Sequence, residues 1–237
     1  MIKTFLWIED KKGKAGYTFW YSLLEQLFPN VEMESKKNNS ELVRAVKNLK
    51  DTDNRYVIVF DNSFDNTQVV IEQKLLKDYA DKKENVVLMD ISCFEYILLE
   101  FNNLINWIYA SDDEFLEKRS DAIAAREKLI ASIKNGMINY KDIKEIVEYD
   151  ERIGEHNIER LAANLLFDLT RNTGFEVSKG SIGDCWIKSC CEWDERDEDD
   201  ICGLDYNRLK IYDKMKSIYE GTCLKKQFQG TGLEASS

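Results

Sequence analysis

Acidic side chains gather at two places in the first third of the sequence. Glu9 and Asp10 follow the apolar run IKTFLWI, and Asp61 and Asp65 follow the apolar run YVIVF. Carboxylate oxygens are the ligands that Mg²⁺ and Mn²⁺ prefer, and two carboxylates with water are enough to hold such an ion against a phosphate. A carboxylate that is not engaged by metal can move a proton. The pattern predicts metal-assisted chemistry on a phosphate ester if the fold brings the two places together.

The periodicity of apolar residues predicts the elements that must position these carboxylates. Strands are predicted at 2–8, 31–35, 55–60 and 84–92, and they alternate with helices at 17–28, 40–50, 68–79 and 94–107. Ser40 is the predicted cap of the second helix. Such alternation predicts an α/β fold with a parallel sheet and helices on both faces. Ligands bind such sheets at the carboxyl ends of the strands, so we expect strands one and three to be neighbours carrying the site.

Beyond about residue 110 the sequence changes to charged, helix-favouring segments. DAIAAREKLIASIKNG and EHNIERLAANLLFDLTRN predict helices, and a further helix is predicted in DYNRLKIYDKMKSIYEG. We therefore expect three parts: an α/β domain at 1–110, a mainly helical, cysteine-containing domain at 111–228 and a disordered tail at 229–237.

Charge and composition exclude several classes of protein. No apolar run reaches the roughly 20 residues of a membrane span, and the N-terminal residues lack the features of a signal peptide, so we expect a cytoplasmic protein. There is no phosphate-binding loop of the P-loop type. The formal net charge of −11 argues against a general affinity for polyanions. Binding of nucleic acid would need a local basic surface or bound divalent cations.

Three segments resemble the Toprim (topoisomerase–primase) fold, especially the nuclease-like Toprim proteins of bacterial defence systems, which include the overcoming-lysogenisation-defect and RloB-like groups. FLWIED with FWYSLLEQLFP resembles the first strand, catalytic glutamate and first helix of that family. YVIVFDNSFDN is similar to the strand that ends in its metal-binding DxD motif, and ISCFEYILLEF is similar to a segment of the RloB-like proteins. The resemblance covers about residues 1–110.

The resemblance implies a role for each acidic residue. Glu9 would be the general acid/base, Asp61 the first metal ligand, and Asp65 or Ser63 a supporting ligand. A strict DxD motif would have its second aspartate where this chain has Ser63. Asp10 replaces a glycine that often follows the family glutamate, and it either acts as a ligand or marks a decayed site.

The resemblance also implies an activity and partners. It predicts a nuclease that hydrolyses phosphodiesters with Mg²⁺ or Mn²⁺, acts in antiviral defence or another bacterial or phage conflict, and works with a partner ATPase. Lys11, Lys12 and Lys14 would then contact the substrate phosphates, although an exposed basic loop explains them equally well.

Two alternatives use the same residues. In a receiver-like domain, Glu9 and Asp10 would hold Mg²⁺ beside a phosphoacceptor Asp61, with Ser92 as the hydroxyl, but no fifth strand with its lysine follows. In a non-catalytic module, a Toprim-like or receiver-like scaffold would bind a protein partner. Function depends on the site and not on the fold, so both alternatives stay open.

The remaining metal-ligating residue types lie near the C-terminus. The spacing of Cys185, Cys190, Cys191 and Cys202 matches no standard zinc motif and favours buried thiols over zinc. His156 is the sole histidine, which excludes any mechanism that needs two. The acidic run at 192–200 is typical of a solvated loop.

Overall fold

The computed structural model describes residues 2–62, 67–110, 112–134, 158–178, 180–191, 202–204 and 208–236. The elements of the first part are β1 (Thr4–Ile8), α1 (Ala15–Leu27), β2 (Val31–Ser35), α2 (Asn39–Asn48), β3 (Arg55–Asp61), α3 (Thr67–Ala80), β4 (Val86–Ile91), α4 (Phe94–Glu100) and α5 (Leu104–Tyr109). The later elements are α6 (Asp113–Lys118), α7 (Ser120–Lys134), α8 (Ile158–Thr170), β5 (Val177–Ser178), β6 (Ser181–Ile182), α9 (Asp184–Ile187), α10 (Ile211–Gly221) and α11 (Leu224–Gly230).

The four longer strands form one parallel sheet in the order β2-β1-β3-β4. β1 and β3 are therefore central and adjacent, with Trp7 in register with Ile58. Alternate residues of β1 enter two different cores: Leu6 and Ile8 enter one, and Trp7 enters the other. A strand buried on both faces needs the continuous apolar sequence that β1 and β3 have. The predicted α/β fold with a parallel sheet and adjacent central strands is confirmed.

Helices cover both faces of the sheet. α1 packs into the core that contains Leu6, while α2 and α3 bury Leu42, Val46 and Leu76 against Trp7 on the opposite face. The direction of winding changes between β1 and β3, because β2 lies on one side of this pair and β4 on the other. Such a switch point leaves a crevice at the carboxyl ends of the two central strands.

The helical elements after residue 110 share the first core. Leu161 and Leu165 of α8 are completely buried in the same cluster as Ile97 of α4. From α11, Phe228 stacks on Phe28, with ring centroids 4.2 Å apart. The two expected domains thus have one continuous hydrophobic core.

The last residues contact the sheet domain, although a disordered tail was expected for them. The backbone N–H of Ser236 donates to the carbonyl of Leu27 at 2.7 Å, and the guanidinium of Arg55 donates to the carbonyl of Thr231. These bonds hold the residues after α11 against the amino-terminal half of the chain.

Two local predictions are wrong. The cap of α2 is Asn38, whose side chain accepts the N–H of Glu41 at 2.9 Å, whereas Ser40 donates to the carboxylate of Glu72. The single helix predicted over 94–107 is two helices, α4 and α5. The guanidinium of Arg126, on α7, donates to the carbonyls of residues 99 and 101 and so satisfies acceptors at the break between them.

Within the described ranges, no helix is both long enough and apolar enough to cross a membrane.

Candidate active site

Glu9 and Asp61 meet at the carboxyl ends of the two central strands. Glu9 directly follows β1, and Asp61 is the last residue of β3. Both side chains line one cavity and lie close enough to shift each other's pKa. Two carboxylates that lie close together repel each other when both are ionised, which favours the protonated form. The fold thus brings Glu9 and Asp61 together at the edge of the sheet where the sequence predicts a site, and the catalytic and metal-binding roles of the two residues stay predictions.

The environment of this pair favours the protonated form of both carboxyl groups. Burial raises the pKa of Glu9 to about 8, and the neighbouring charges of Asp10, Glu159 and Glu95 raise it further, against the lowering effect of the Asp61 hydrogen bond. Burial also raises the pKa of Asp61 well above its usual value, with the charge of Glu9 as the next cause. Carboxyl groups that cannot all ionise at neutral pH are typical of sites that bind a cation.

Asp10 lies over the first turn of α1. A Cβ atom on Gly16 would lie 2.4 Å from Oδ2 of Asp10, so only glycine leaves room for this carboxylate. Burial raises the pKa of Asp10 to about 6, and the charge of Glu159 contributes. The backbone carbonyl of Asp10 accepts the hydroxyl of Ser35 at 2.5 Å, which fixes the loop to β2.

Two further glutamates reach the site without having been predicted. Glu95 lies in the first turn of α4, and burial raises its pKa to about 7, with the charge of Glu159 as a contributing cause. Glu159 lies at the start of α8. Glu95 follows β4 by four residues, and this position after a parallel strand could have predicted from the sequence that Glu95 belongs to the site. Nothing local marks Glu159, because only the packing of α8 against α4 brings it to the sheet.

These carboxylates line an open cavity of about 640 Å³. Its acidic residues are Glu9, Asp10, Asp61, Glu72, Glu95 and Glu159, and its other lining residues are Lys11, Lys14, Ala15, Gly16, Lys37, Asn38, Asn39, Ser40, Gln68 and Phe94. The described part of the chain offers no ion-pair partner to Lys11, Lys14 or Lys37. The cavity thus combines clustered carboxylates with uncompensated cations.

The other predicted site residues have different outcomes. Lys12 is exposed and does not line the cavity. Asp65 and Ser63 lie outside the described residues, so the prediction that Asp65 completes the metal site stays a prediction. The sheet of the described residues has four strands and lacks the fifth strand of a receiver domain.

The donor set suits a hard cation. Glu9, Asp10 and Asp61 provide carboxylate oxygens that line one cavity. No three His, Cys, Asp or Glu side chains of the described residues are already arranged as a metal-binding group. An ion held here would therefore take two carboxylates and complete its shell with water or phosphate oxygens, which is how Mg²⁺ is commonly bound.

The cysteines lie apart from this cavity. Cys93 is buried, and its sulfur accepts the N–H of Tyr96 as the cap of α4. Cys202 lies close enough to Cys185 to raise the pKa of its thiol, and Cys191 is exposed. Cys190 is partly buried, and the preference for thiols over zinc stays a prediction. His156 and the acidic run at 192–200 lie outside the described residues.

Comparison with known proteins gives little information about the family of this chain. A scan of protein-family models and a search of curated proteins find no match. Among solved structures, the C-terminal region of the Burkholderia pseudomallei OLD protein matches with 11% identity over 93% of this chain and 98% of that chain. The TM-score is 0.30, which is too low to establish a shared fold.

Proposed function

We propose that the chain is a phosphodiester hydrolase that uses Mg²⁺ or Mn²⁺ and acts on nucleic acid. The observation that carries the proposal is the close pair of Glu9 and Asp61, at the switch point of a parallel sheet and inside an open cavity. The resemblance of the first 110 residues to nuclease-like Toprim proteins agrees with this assignment.

The acidic and the basic residues of the cavity would have different roles. Glu9 and Asp61, supported by Asp10, would hold the ion, and a proton on either carboxyl group would leave as the ion binds. The bound ion would polarise the phosphoryl oxygen and lower the pKa of a water molecule. Lys11 and Lys14, which have no acidic partner in the described structure, would hold the substrate phosphates against the overall negative charge of the protein.

Glu9 is the best candidate for proton transfer. It would bind the ion through one carboxylate oxygen and accept a proton from attacking water on the other, since binding of the ion favours the ionised form of Glu9. Asp61 is the last residue of the central strand β3 and would be the first metal ligand. The remaining implications of the resemblance, a role in bacterial or phage conflict and a partner ATPase, belong to the same proposal.

The test pairs metal binding with cleavage. Titration calorimetry with MgCl₂ and MnCl₂ should detect an ion in the wild type and a binding constant at least 10-fold weaker in Glu9→Gln and Asp61→Asn, since each removes one of two charged ligands. Nicking of single- and double-stranded DNA and RNA should fall in parallel. Glu84→Gln and Asp53→Asn, at exposed positions, are the matched controls. Equal metal affinity and equal nicking in all five proteins would refute the proposal.

A non-catalytic interaction module is the second candidate. It is favoured by one observation: the described residues form no ready-made group of three metal ligands. In that case the wild type binds no divalent ion at millimolar concentration, and the carboxylate variants leave binding of the protein partner intact. The calorimetric titration therefore separates the two candidates before any substrate is known.

A further inference from the structure

A second cavity adjoins the carboxylate cavity. It has a volume of about 520 Å³ and shares Glu95 and Glu159 with the first cavity. Its remaining lining residues are Arg160, Ala163, Asn164, Phe167, Val177 and Ser178. The shared glutamates make the two cavities contiguous, so one extended ligand can occupy both.

The second cavity is formed mainly by one face of α8. Successive turns of this helix bring Ala163 and Phe167 to the same side, four residues apart. The opposite face of α8 buries Leu161 and Leu165 in the shared core. Phe167 is 38% exposed, which leaves an aromatic ring open to the cavity on a helix whose leucine side chains are covered.

The chemistry of the lining combines a flat apolar surface with polar edges. The ring of Phe167 and the side chain of Val177 supply the apolar surface. The amide of Asn164 has no hydrogen-bond partner in the described structure, so it can both donate and accept. The hydroxyl of Ser178 already bonds to that of Ser181 at 2.9 Å. An aromatic ring beside an unsatisfied amide is suited to a planar heterocycle with hydrogen-bonding edges.

We propose that this cavity binds one nucleobase of the substrate, next to the phosphate that lies at Glu9 and Asp61. The inference rests on the proposed function, because the carboxylate cavity locates the phosphate to which the base is joined. Phe167 stacks on the base and Asn164 bonds to its edge. A base inside a duplex is stacked and paired on both sides, so it cannot enter such a cavity without leaving the helix. The substrate class is therefore single-stranded or locally unpaired nucleic acid.

The experiment measures binding without cleavage. Fluorescence anisotropy with labelled single-stranded oligonucleotides, in EDTA and again in Ca²⁺, compares the wild type with Phe167→Ala, Phe167→Trp and Asn164→Ala. Loss of one base–aromatic stack should weaken single-strand binding by about 5- to 100-fold in Phe167→Ala. Phe167→Trp should restore it, and Asn164→Ala should change the preference among the four bases. Tyr21→Ala is the matched control, because Tyr21 is also an exposed aromatic residue, 49% accessible, on α1.

Two further substrates sharpen the result. A fully paired duplex should bind equally to wild type and Phe167→Ala. An oligonucleotide with abasic sites should also bind equally to the two proteins, because it has no base to stack on Phe167.

Equal single-strand affinity of wild type and Phe167→Ala, in proteins with the same melting temperature, would overturn the proposal that the second cavity binds a base. If Phe167→Ala weakens binding while Glu9→Gln changes neither metal affinity nor nicking, the hydrolase proposal fails and the base cavity stands. If nicking depends on Glu9 and Phe167→Ala binds normally, the base cavity alone is wrong.

Discussion

Replacing Glu9 by glutamine should stabilise the metal-free protein at alkaline pH. Glutamine keeps the size and has an amide N–H that can donate to Asp61, but it cannot ionise. The pKa of Glu9 is raised from 4.5 to about 8 in the folded protein, chiefly by burial. Between these two values the folded state therefore binds more protons than the unfolded state, and the stability of the wild type falls as pH rises. The penalty is nearly absent near pH 4.5 and complete above pH 8.

The size of the effect follows from the same pKa. A rise from 4.5 to about 8 corresponds to at most about 5 kcal/mol, since one pKa unit is about 1.4 kcal/mol. The cavity is open to water, and ionisation of Glu9 is shared with Asp61, so we expect about 2 kcal/mol between pH 5 and pH 8. For a chain of this length that is a rise of about 4–8 °C in melting temperature for Glu9→Gln relative to wild type at pH 8.

The assay is thermal unfolding followed by circular dichroism in EDTA at pH 5 and pH 8. Glu84→Gln, at an exposed position, should match the wild type at both values of pH. Millimolar MgCl₂ at pH 8 should raise the melting temperature of the wild type more than that of Glu9→Gln, because only the wild type keeps both ligands. A variant that is less stable than wild type at pH 8, or equally stabilised at pH 5 and pH 8, would refute the reasoning about buried charge.

Two predictions concern local structure. Arg126→Met should lower the free energy of unfolding by about 2–4 kcal/mol, because it leaves the buried carbonyls of Leu99 and Phe101 without donors; in urea denaturation, a loss no larger than that of the exposed Arg44→Met would contradict the role of Arg126. Asn38→Ala should cost about 1 kcal/mol and accelerate amide exchange at residue 41, as loss of a helix cap does. Ser40→Ala should leave that exchange rate unchanged, and the reverse pattern would return the cap to Ser40.

The sheet could be predicted because its strands carry their own signal. β1 and β3 are continuous apolar runs buried on both faces, and such runs end in polar residues at the edge where parallel sheets bind ligands. This pattern was enough to predict from the sequence that Glu9 and Asp61 lie at the same edge of the sheet. The cap of α2 was misplaced because Asn38 and Ser40 are both good capping residues, two positions apart, and the sequence does not rank them.

The rest depended on contacts between distant parts of the chain. The break between α4 and α5 is satisfied by Arg126, which comes about 25 residues later, so the apolar spacing of 94–107 could not reveal it. Glu159 reaches the cavity through the packing of α8 on α4, and the base cavity needs the same packing. Neither Glu159 nor the second cavity is marked by a local sequence pattern, because packing between distant residues forms both.

The continuous core has a consequence for how this protein can be divided. The first 110 residues contain the sheet and most of the carboxylates that line the first cavity. In the sequence they look like an independent domain. An isolated fragment of that length would expose the apolar surface that Leu161 and Leu165 cover, and it would lose Glu159 from the wall of the cavity. Replacement of the helical part by another sequence would therefore alter the wall of the cavity as well as the core, so the whole core is the natural unit for engineering.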